Sequence, residues 1–146
     1  MNKRIKLTKN FYLDEFLPRS IYEAAGFSWA SKQAMIDERV VLGCQLLRDR
    51  FGALVVNNWY TGGERSWSGL RTPDSPYYNR LSQHTWGRGA DPVPLELPAE
   101  EIREDIKHNY KHYRQYITRI EDFDGMGWAH IDCAYTGIDE LVIFGK

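Results

Sequence analysis

The sequence has few cysteines, almost no net charge and no long apolar run, and each shortage excludes a class of protein. Only two cysteines, Cys44 and Cys133, occur in the chain, so they predict buried free thiols rather than a disulfide framework or a cysteine-ligated zinc site. The formal net charge of -1 provides no basic field for nucleic acid or for an anionic membrane. We therefore expect neither nucleic acid nor membrane among its partners.

Signals for export and for membrane insertion are also missing. The basic N-terminus, residues 1–6, is not followed by the apolar run of a secretory signal, and no later segment is long enough to span a bilayer. The sequence therefore predicts a protein that is cytoplasmic as synthesised.

Length and composition are those of an ordinary globular domain. A chain of 146 residues with 42% hydrophobic and 27% charged residues can bury a sufficient core without disulfides or structural metals. We expect one domain covering residues 1–146 and a monomer. Aromatic content is high at 14%, which favours a core packed with large rings over a ring-lined cleft.

Hydrophobic periodicity predicts helices and strands in an irregular order. The helical segments are a turn at 11–18, a helix from Ser31 to about Phe51 and a helix from Pro98 to about Tyr116. Strands are predicted at 53–60, 88–93, 116–120, 127–134 and 141–144, with loops at 19–30 and 61–81. Because no βαβ rhythm connects them, we predict an α+β fold in which helices flank a small, mainly antiparallel sheet.

One stretch combines two metal-ligand types with backbone freedom. His84 and Asp91 are seven residues apart, and Gly87 and Gly89 lie between them. An imidazole and a carboxylate are good zinc ligands, and glycines allow the tight turn that brings both to one centre. A catalytic zinc site usually takes three ligands from the protein, so a third ligand has to come from elsewhere in the chain.

His108 and His112 form a rival pair, four residues apart on the predicted long helix. That spacing can chelate a metal from one helical face. No glutamate of the His-Glu-x-x-His type accompanies the pair, and Lys107, Lys111 and Arg114 surround it with positive charge. The sequence therefore favours a solvated helical face.

His130 is the better third ligand. The predicted strand 127–134 places His130 and Asp132 two residues apart and hence on one face. Alone, a strand histidine is most often a satisfied core residue. Beside His84 and Asp91, it completes three protein ligands, with a nearby carboxylate as candidate base and a fourth position left for water.

These motifs resemble a known family. The segment Ser82–Asp91 is similar to the pattern Ser-x-His-x-x-Gly-x-Ala-x-Asp, with Gly89 at the alanine position, and His130-x-Asp132 resembles the second metal motif. Together they resemble the M15 zinc D-alanyl-D-alanine carboxypeptidases and peptidoglycan endopeptidases, including phage-encoded members, which share a metal site with the hedgehog signalling domain. The segments 14–16 and 46–52 also look like those members.

The resemblance implies a hedgehog/DD-peptidase-like fold in which His84, Asp91 and His130 hold Zn2+. It also implies that Arg71, in the segment Ser68-Gly69-Leu70-Arg71, binds a carboxylate or carbonyl of a peptidoglycan peptide as a fork of donors. Arg65 is the alternative for this role. The implied place of action is the cell wall, reached after release from the cell or as part of a virion.

The general base departs from the family pattern. Many members carry Glu or Asp three residues before the last zinc histidine, where this chain has Gly127. Asp132 is our first substitute, and Asp124 and Asp122 are further candidates. The two roles can also be exchanged, so that Asp132 ligates the metal and His130 serves as base.

The sequence thus predicts a zinc metallopeptidase that hydrolyses an amide bond in peptidoglycan stem peptides, as a carboxypeptidase or an endolysin-type endopeptidase encoded by a phage or prophage. Trp59, Tyr60 and Trp67 are predicted to line its cleft. The alternative is a catalytically impaired phage structural or cell-wall-binding protein that keeps the fold, with or without the zinc.

Overall fold

Residues 3–145 are described by a computed structural model, and they build an α+β fold from short elements. The helices are α1 (Arg19–Tyr22), α2 (Trp29–Ala34), α3 (Glu38–Phe51) and α4 (Ala99–His108). The strands are β1 (Leu54–Val55), β2 (Gly89–Ala90), β3 (Val93–Pro94), β4 (Arg119–Glu121), β5 (Ile131–Asp132) and β6 (Val142–Phe144). Four 3-10 turns connect them, at Leu13–Glu15, Trp59–Thr61, Gln83–Trp86 and Tyr110–His112.

The main sheet has the strand order β2-β5-β4-β6. Strand β5 pairs antiparallel with β2 and with β4, whereas β6 joins β4 in parallel at the edge. Strands β1 and β3 form a separate antiparallel pair. The predicted small, mainly antiparallel sheet and the last edge strand near residues 141–144 are therefore confirmed.

The core lies between the sheet and helix α3. Cys44 and Leu47 of the helix are completely buried, as are Ile120 and Ile131 of the central strands. Gly43 allows the close approach, because a Cβ atom there would lie only 3.3 Å from the side chains of Ile117 and Ile131. The helix thus presses on the centre of the sheet, next to the strands that carry the candidate site.

The single helix predicted from Ser31 to Phe51 is wrong, because the chain breaks it into α2 and α3. The Ser28 side chain caps α2 by accepting from the Ser31 N–H, and the Asp37 side chain caps α3 by accepting from the Arg39 N–H. Between the helices, the Asp37 N–H donates to the Gly87 carbonyl at 2.8 Å. The predicted loop at 19–30 is also wrong, since α1 and the start of α2 lie within it.

Three predicted strands and the last helix are too long. Only β1 forms within 53–60, because the Asn57 backbone N–H donates to the Glu15 carbonyl instead of a strand. Only β5 forms within 127–134, because the Ala129 N–H donates to the Pro92 carbonyl. The strand at 88–93 divides into β2 and β3, and the helix predicted to reach Tyr116 ends at His108.

Other expectations hold. Residues 62–82 contain no helix or strand, as predicted for the long loop, and Cys44 and Cys133 are buried free thiols. No helix within residues 3–145 is long and apolar enough to cross a membrane.

Candidate metal centre

His84 lies on a 3-10 turn that the local sequence specifies at both ends. The Ser82 hydroxyl accepts a hydrogen bond from the His84 N–H at 3.3 Å at its start, and Gly87 ends it with a φ of 67°. A Cβ atom on Gly87 would come 1.8 Å from the backbone oxygen of Met35. Only glycine therefore permits both the left-handed turn and this close packing.

Asp91 and His130 are brought together by the pairing of β2 with β5. Ala90 is opposite Ile131 in this pair, so Asp91 follows one strand where His130 precedes the other. The Asp91 N–H donates to the Ser68 carbonyl at 2.8 Å, which ties the ligand to the long loop. The strand pairing and this backbone bond therefore place Asp91 next to His130.

The three side chains predicted as metal ligands converge on one point. Asp91 Oδ1 lies 3.1 Å from His84 Nε2 and 2.7 Å from His130 Nδ1. One candidate ligand atom from each residue lies within 4.8 Å of the others. All three residues are buried, with exposed fractions of 2%, 8% and 5% for His84, Asp91 and His130. The structure thus forms a buried His84-Asp91-His130 group that can bind a metal ion.

The outer nitrogen of each imidazole is held by a hydrogen-bond acceptor. His84 Nδ1 lies 2.8 Å from the Gly69 carbonyl oxygen, and His130 Nε2 lies 2.9 Å from Asp132 Oδ2. When each outer nitrogen donates its proton, the inner nitrogens direct their lone pairs at the centre. This is the arrangement that orients histidine ligands in metal sites, and it is the feature of the structure that best fits a metal.

Close packing against Phe16 requires glycine at position 69. A Cβ atom there would lie 2.3 Å from the backbone oxygen of Phe16, while the Leu70 N–H donates to that same oxygen at 2.8 Å. The loop can therefore reach His84 only if position 69 has no side chain.

The charges of the group also suit a cation. Burial alone raises the pKa of Asp91, but the charges and hydrogen bonds of His84 and His130 outweigh it and lower the pKa. Burial lowers the pKa of His130, but its bonds to Asp132 and Asp91 outweigh that effect and raise the pKa to about 9. The centre thus holds an ionised carboxylate that attracts positive charge, either a proton or a metal ion.

Arg71 and Arg65 both lie near Asp91 but differ in their contacts. Arg71 Nη2 binds Asp91 Oδ2 at 2.8 Å, its Nε donates to the Trp67 carbonyl at 2.7 Å, and its side chain lines the cleft. Arg65 donates to the Ser68 hydroxyl at 2.7 Å and to the Asp91 carbonyl at 3.1 Å. Both residues line the cleft, but Arg65 bonds to backbone carbonyls and a hydroxyl, whereas Arg71 pairs with the Asp91 carboxylate.

Asp132 contacts the His130 nitrogen that faces away from Asp91, and it does not line the cleft. It binds His130 Nε2, and Arg119 Nη2 lies 2.9 Å from its Oδ2. Its side chain is completely buried. Burial raises the pKa of Asp132, but the bonds from His130 and Arg119 outweigh it and lower the pKa. The geometry therefore favours a residue that orients His130.

Asp122 and Asp124, the other two candidate bases, lie outside the cleft. Asp122 forms ion pairs with Arg103 at 3.1 Å and with Lys107 at 2.5 Å. Asp124 is exposed in the following turn. Neither residue lines the cleft that contains the His84-Asp91-His130 group.

An open cleft of about 820 Å³ leads to the histidines. Aromatic side chains form much of its wall, namely Trp67, Tyr77, Trp128 and Phe144. Trp67 was predicted there, but the prediction for Trp59 and Tyr60 is wrong. Their rings pack against Tyr22 instead, with centroid separations of 5.5 and 5.9 Å, because the 3-10 turn directs them to the core.

Sequence reasoning missed several parts of the site. The Gly69 carbonyl has no side-chain signal, Arg119 fell near the end of the strand predicted at 116–120, and Glu121 fell just beyond it. Arg119 and Glu121 are two residues apart on β4. Side chains at that spacing share a face of a strand, which here is the face of His130 and Asp132. The predicted strand ended at Ile120, one residue too early to include Glu121.

The rival histidine pair does not form a site. His108 is exposed, and its Nδ1 lies 2.7 Å from the Glu104 carbonyl oxygen. Helix α4 ends at His108, and His112 belongs to the separate turn Tyr110–His112. In the part of the chain that the structure describes, His84-Asp91-His130 is the only group of such residues placed to hold a metal.

Comparisons of the chain with protein-family models, with curated proteins and with solved structures give no match.

Proposed function

We propose that the protein is a zinc-dependent peptidase that hydrolyses an amide bond in peptidoglycan stem peptides. One observation carries the proposal. The buried group of His84, Asp91 and His130 lies at the wall of a large cleft, and the outer nitrogens of both imidazoles are held by acceptors.

The donor set is one that zinc accepts. Two imidazole nitrogens and one carboxylate oxygen are borderline and hard donors that Zn2+ accepts in a tetrahedron, and three protein ligands leave one position open. Bound zinc would supply Lewis acidity and lower the pKa of water at neutral pH. The orienting contacts from Gly69 and Asp132 would fix the ligands before the metal arrives.

The cleft residues would bind and orient a peptide. Arg71 donates through Nε and Nη2 to Trp67 and Asp91, which leaves its Nη1 hydrogens for a substrate carbonyl or carboxylate. The faces of Trp67, Tyr77 and Trp128 offer apolar area for the peptide stem. A guanidinium beside the ligand group would therefore position the scissile amide against the centre.

The choice of peptidoglycan rests on the resemblance to the M15 peptidases and their hedgehog/DD-peptidase-like fold. The order of the ligands supports it, with His84 on a turn, Asp91 directly after a strand and His130 directly before the strand that pairs with it. We extend the proposal to a phage or prophage enzyme that acts on the cell wall as a monomer.

A second function has one observation in its favour. Position 127 holds glycine where many of the resembling peptidases carry an acid, and a Cβ atom there would meet nothing within 4 Å. The space for an acidic side chain is open, but the acid is missing. This favours a phage structural or cell-wall-binding protein that keeps the metal and lacks hydrolysis.

Incubating the zinc-loaded protein with purified peptidoglycan separates the two functions. We expect new amine termini, detected by mass spectrometry, and one zinc per chain by elemental analysis. His84→Ala should lose both, because it removes a ligand. His108→Ala removes an exposed histidine and should keep both. Zinc binding without new termini would favour the binding protein, and full hydrolysis after metal removal would refute the zinc peptidase.

A further inference from the structure

We infer that Glu121 accepts the proton of the attacking water and returns it to the leaving nitrogen, an inference that rests on the function proposed above. The water oxygen forms a bond to the carbonyl carbon while its proton passes to the Glu121 carboxylate. The carbon–nitrogen bond then breaks as Glu121 gives that proton to the departing amine. Water and an amide become a carboxylic acid and an amine, and Glu121 returns to its starting state.

The register of the sheet places Glu121 opposite His130. Strands β4 and β5 are antiparallel, with Arg119 opposite Asp132 and Ile120 opposite Ile131. One step further along this register, Glu121 is opposite His130. Directly opposed side chains share a face of the sheet, with Cβ atoms about 4.5–5.5 Å apart. A carboxylate at this position therefore borders one of the proposed ligands from the side of the open cleft.

The contacts of Arg119 and Asp132 also place Glu121 on the face of the sheet that carries His130. Arg119 binds Asp132 at 2.9 Å, and Asp132 binds His130, so all three lie on one face. Glu121 is two residues after Arg119 and shares that face. The side chains of Glu121, Arg119 and His130 line the same cleft.

The Glu121 carboxylate is available for proton transfer. Within residues 3–145 it has no hydrogen bond or ion pair, and the residue is only partly buried. Its stem lies against Gly145, where a Cβ atom would come 2.8 Å from Glu121 Cγ. A general base has to reach the reacting water without first breaking a strong bond of its own, and Glu121 meets that condition.

The other carboxylates near the centre are less suitable. Asp91 belongs to the ligand group, Asp132 is held between His130 and Arg119, and Asp122 is paired with two cations. Glu64 also lines the cleft, but it is an exposed residue of the long loop. Glu121 is the free acid that a strand, rather than a loop, holds beside the ligands, and a rigid element positions a catalytic group better.

Glu121→Gln tests this assignment, because the amide keeps the shape but cannot accept the proton. We expect kcat on a stem peptide to fall by about 10²- to 10⁴-fold. Zinc content should stay at one per chain, and the affinity for the peptide, measured by tryptophan fluorescence, should stay within about threefold. Glu140→Gln, which changes an exposed acid outside the cleft, is the matched control and should keep the wild-type rate.

A second variant distinguishes the loss of a proton acceptor from a loss of activity caused by structural damage. In Glu121→Ala, added formate should restore part of the rate by supplying a carboxylate in the vacated space, and it should not restore the rate of His84→Ala. If wild type hydrolyses the peptide and Glu121→Gln does so equally well, the inference is overturned while the peptidase remains. A large loss in Glu64→Gln alone would transfer the role to Glu64. Zinc-loaded wild type without activity would refute the peptidase and the inference together.

Discussion

Asp132 illustrates how one buried carboxylate can control a centre without facing its open side. It accepts from His130 Nε2 at 2.9 Å and binds Arg119 on its other side. Its charge makes the other ring nitrogen of His130, Nδ1, a stronger electron-pair donor to a metal, and its bond holds the ring in one orientation. The role of Asp132 as proton acceptor stays a prediction from sequence, and its contacts instead support a positioning role.

Asp132→Asn should therefore weaken zinc binding by about 10- to 100-fold. The amide oxygen can still accept from His130, but it lacks the charge that strengthens the ligand. Competition with a chromophoric chelator measures the dissociation constant, and far-UV circular dichroism shows whether the fold is kept. Asp139→Asn removes an exposed carboxylate and is the control. An unchanged dissociation constant in Asp132→Asn would refute the positioning role.

At the scale of single residues, the candidate metal ligands could be predicted from the sequence, because the ability to bind a metal belongs to their side chains. His84, Asp91 and His130 were all predicted, and the structure brings them together. The Gly69 carbonyl that binds His84 could not be predicted, since every residue has a carbonyl group and only the folded loop selects one.

Among the short elements, the 3-10 turn Leu13–Glu15 contains an acid with an unusual affinity for protons. The Glu15 side chain accepts from the Tyr12 N–H at 2.8 Å. Burial is the largest cause that raises the pKa of Glu15, from 4.5 to about 7. The folded state thus binds this proton more tightly than the unfolded state does.

This linkage predicts a pH-dependent stability. Because the pKa of Glu15 is raised on folding, its contribution is fully present below pH 4.5 and is lost as the pH rises through about 7. Relative to Glu15→Gln, wild type should lose about 1–2 kcal/mol of unfolding free energy across this window, after allowance for partial exposure. Urea unfolding at several pH values measures the difference.

Glu140→Gln, which changes an exposed acid, serves as the control and should follow wild type across the same pH range. Parallel pH profiles for wild type and Glu15→Gln would show that Glu15 titrates normally in the folded protein.

The kinds of element were more predictable than their ends. The regions of α3, α4 and most strands follow the apolar period, which reflects the face that each element buries. The ends depend on side-chain bonds to distant backbone, such as Asn57 Oδ1, which accepts from the Ser68 N–H at 2.9 Å. Such contacts end β1 early, and no local pattern reveals them.

On the scale of the whole molecule, the proposed ligands join separate parts of the chain. His84 lies on a 3-10 turn, Asp91 directly follows β2 and His130 directly precedes β5. A metal that binds all three therefore stabilises the folded state over the unfolded one. At a free zinc concentration 100 times the dissociation constant, we expect about 2.7 kcal/mol of added stability. The melting temperature should rise by about 5–10 °C.

Calorimetry of the metal-free protein with and without added zinc checks this expectation. His84→Ala should show no rise, and the exposed His108→Ala should match wild type. An equal rise in His84→Ala would mean that zinc binds elsewhere, and the absence of a rise in wild type would contradict the metal centre.

The α+β class was predictable for the entire chain because it follows from the order of helices and strands. The shape of the cleft was not predictable. Much of its wall comes from residues 64–83 of the irregular loop, whose path is set by contacts such as that of Leu70 with Phe16 rather than by a repeating pattern.

The bond from the Gly69 carbonyl to His84 has a consequence for how this chain can evolve. A backbone oxygen is present whatever side chain a neighbouring position carries, so this support for the ligand restricts sequence only at the glycine that fits against Phe16. The bond to His84 itself requires no particular side chain at the neighbouring positions, whose side chains are instead constrained by other contacts, such as that of the Ser68 hydroxyl with Arg65. A substitution beside Gly69 can therefore leave this one contact of His84 intact, whereas a substitution of Gly69 itself cannot.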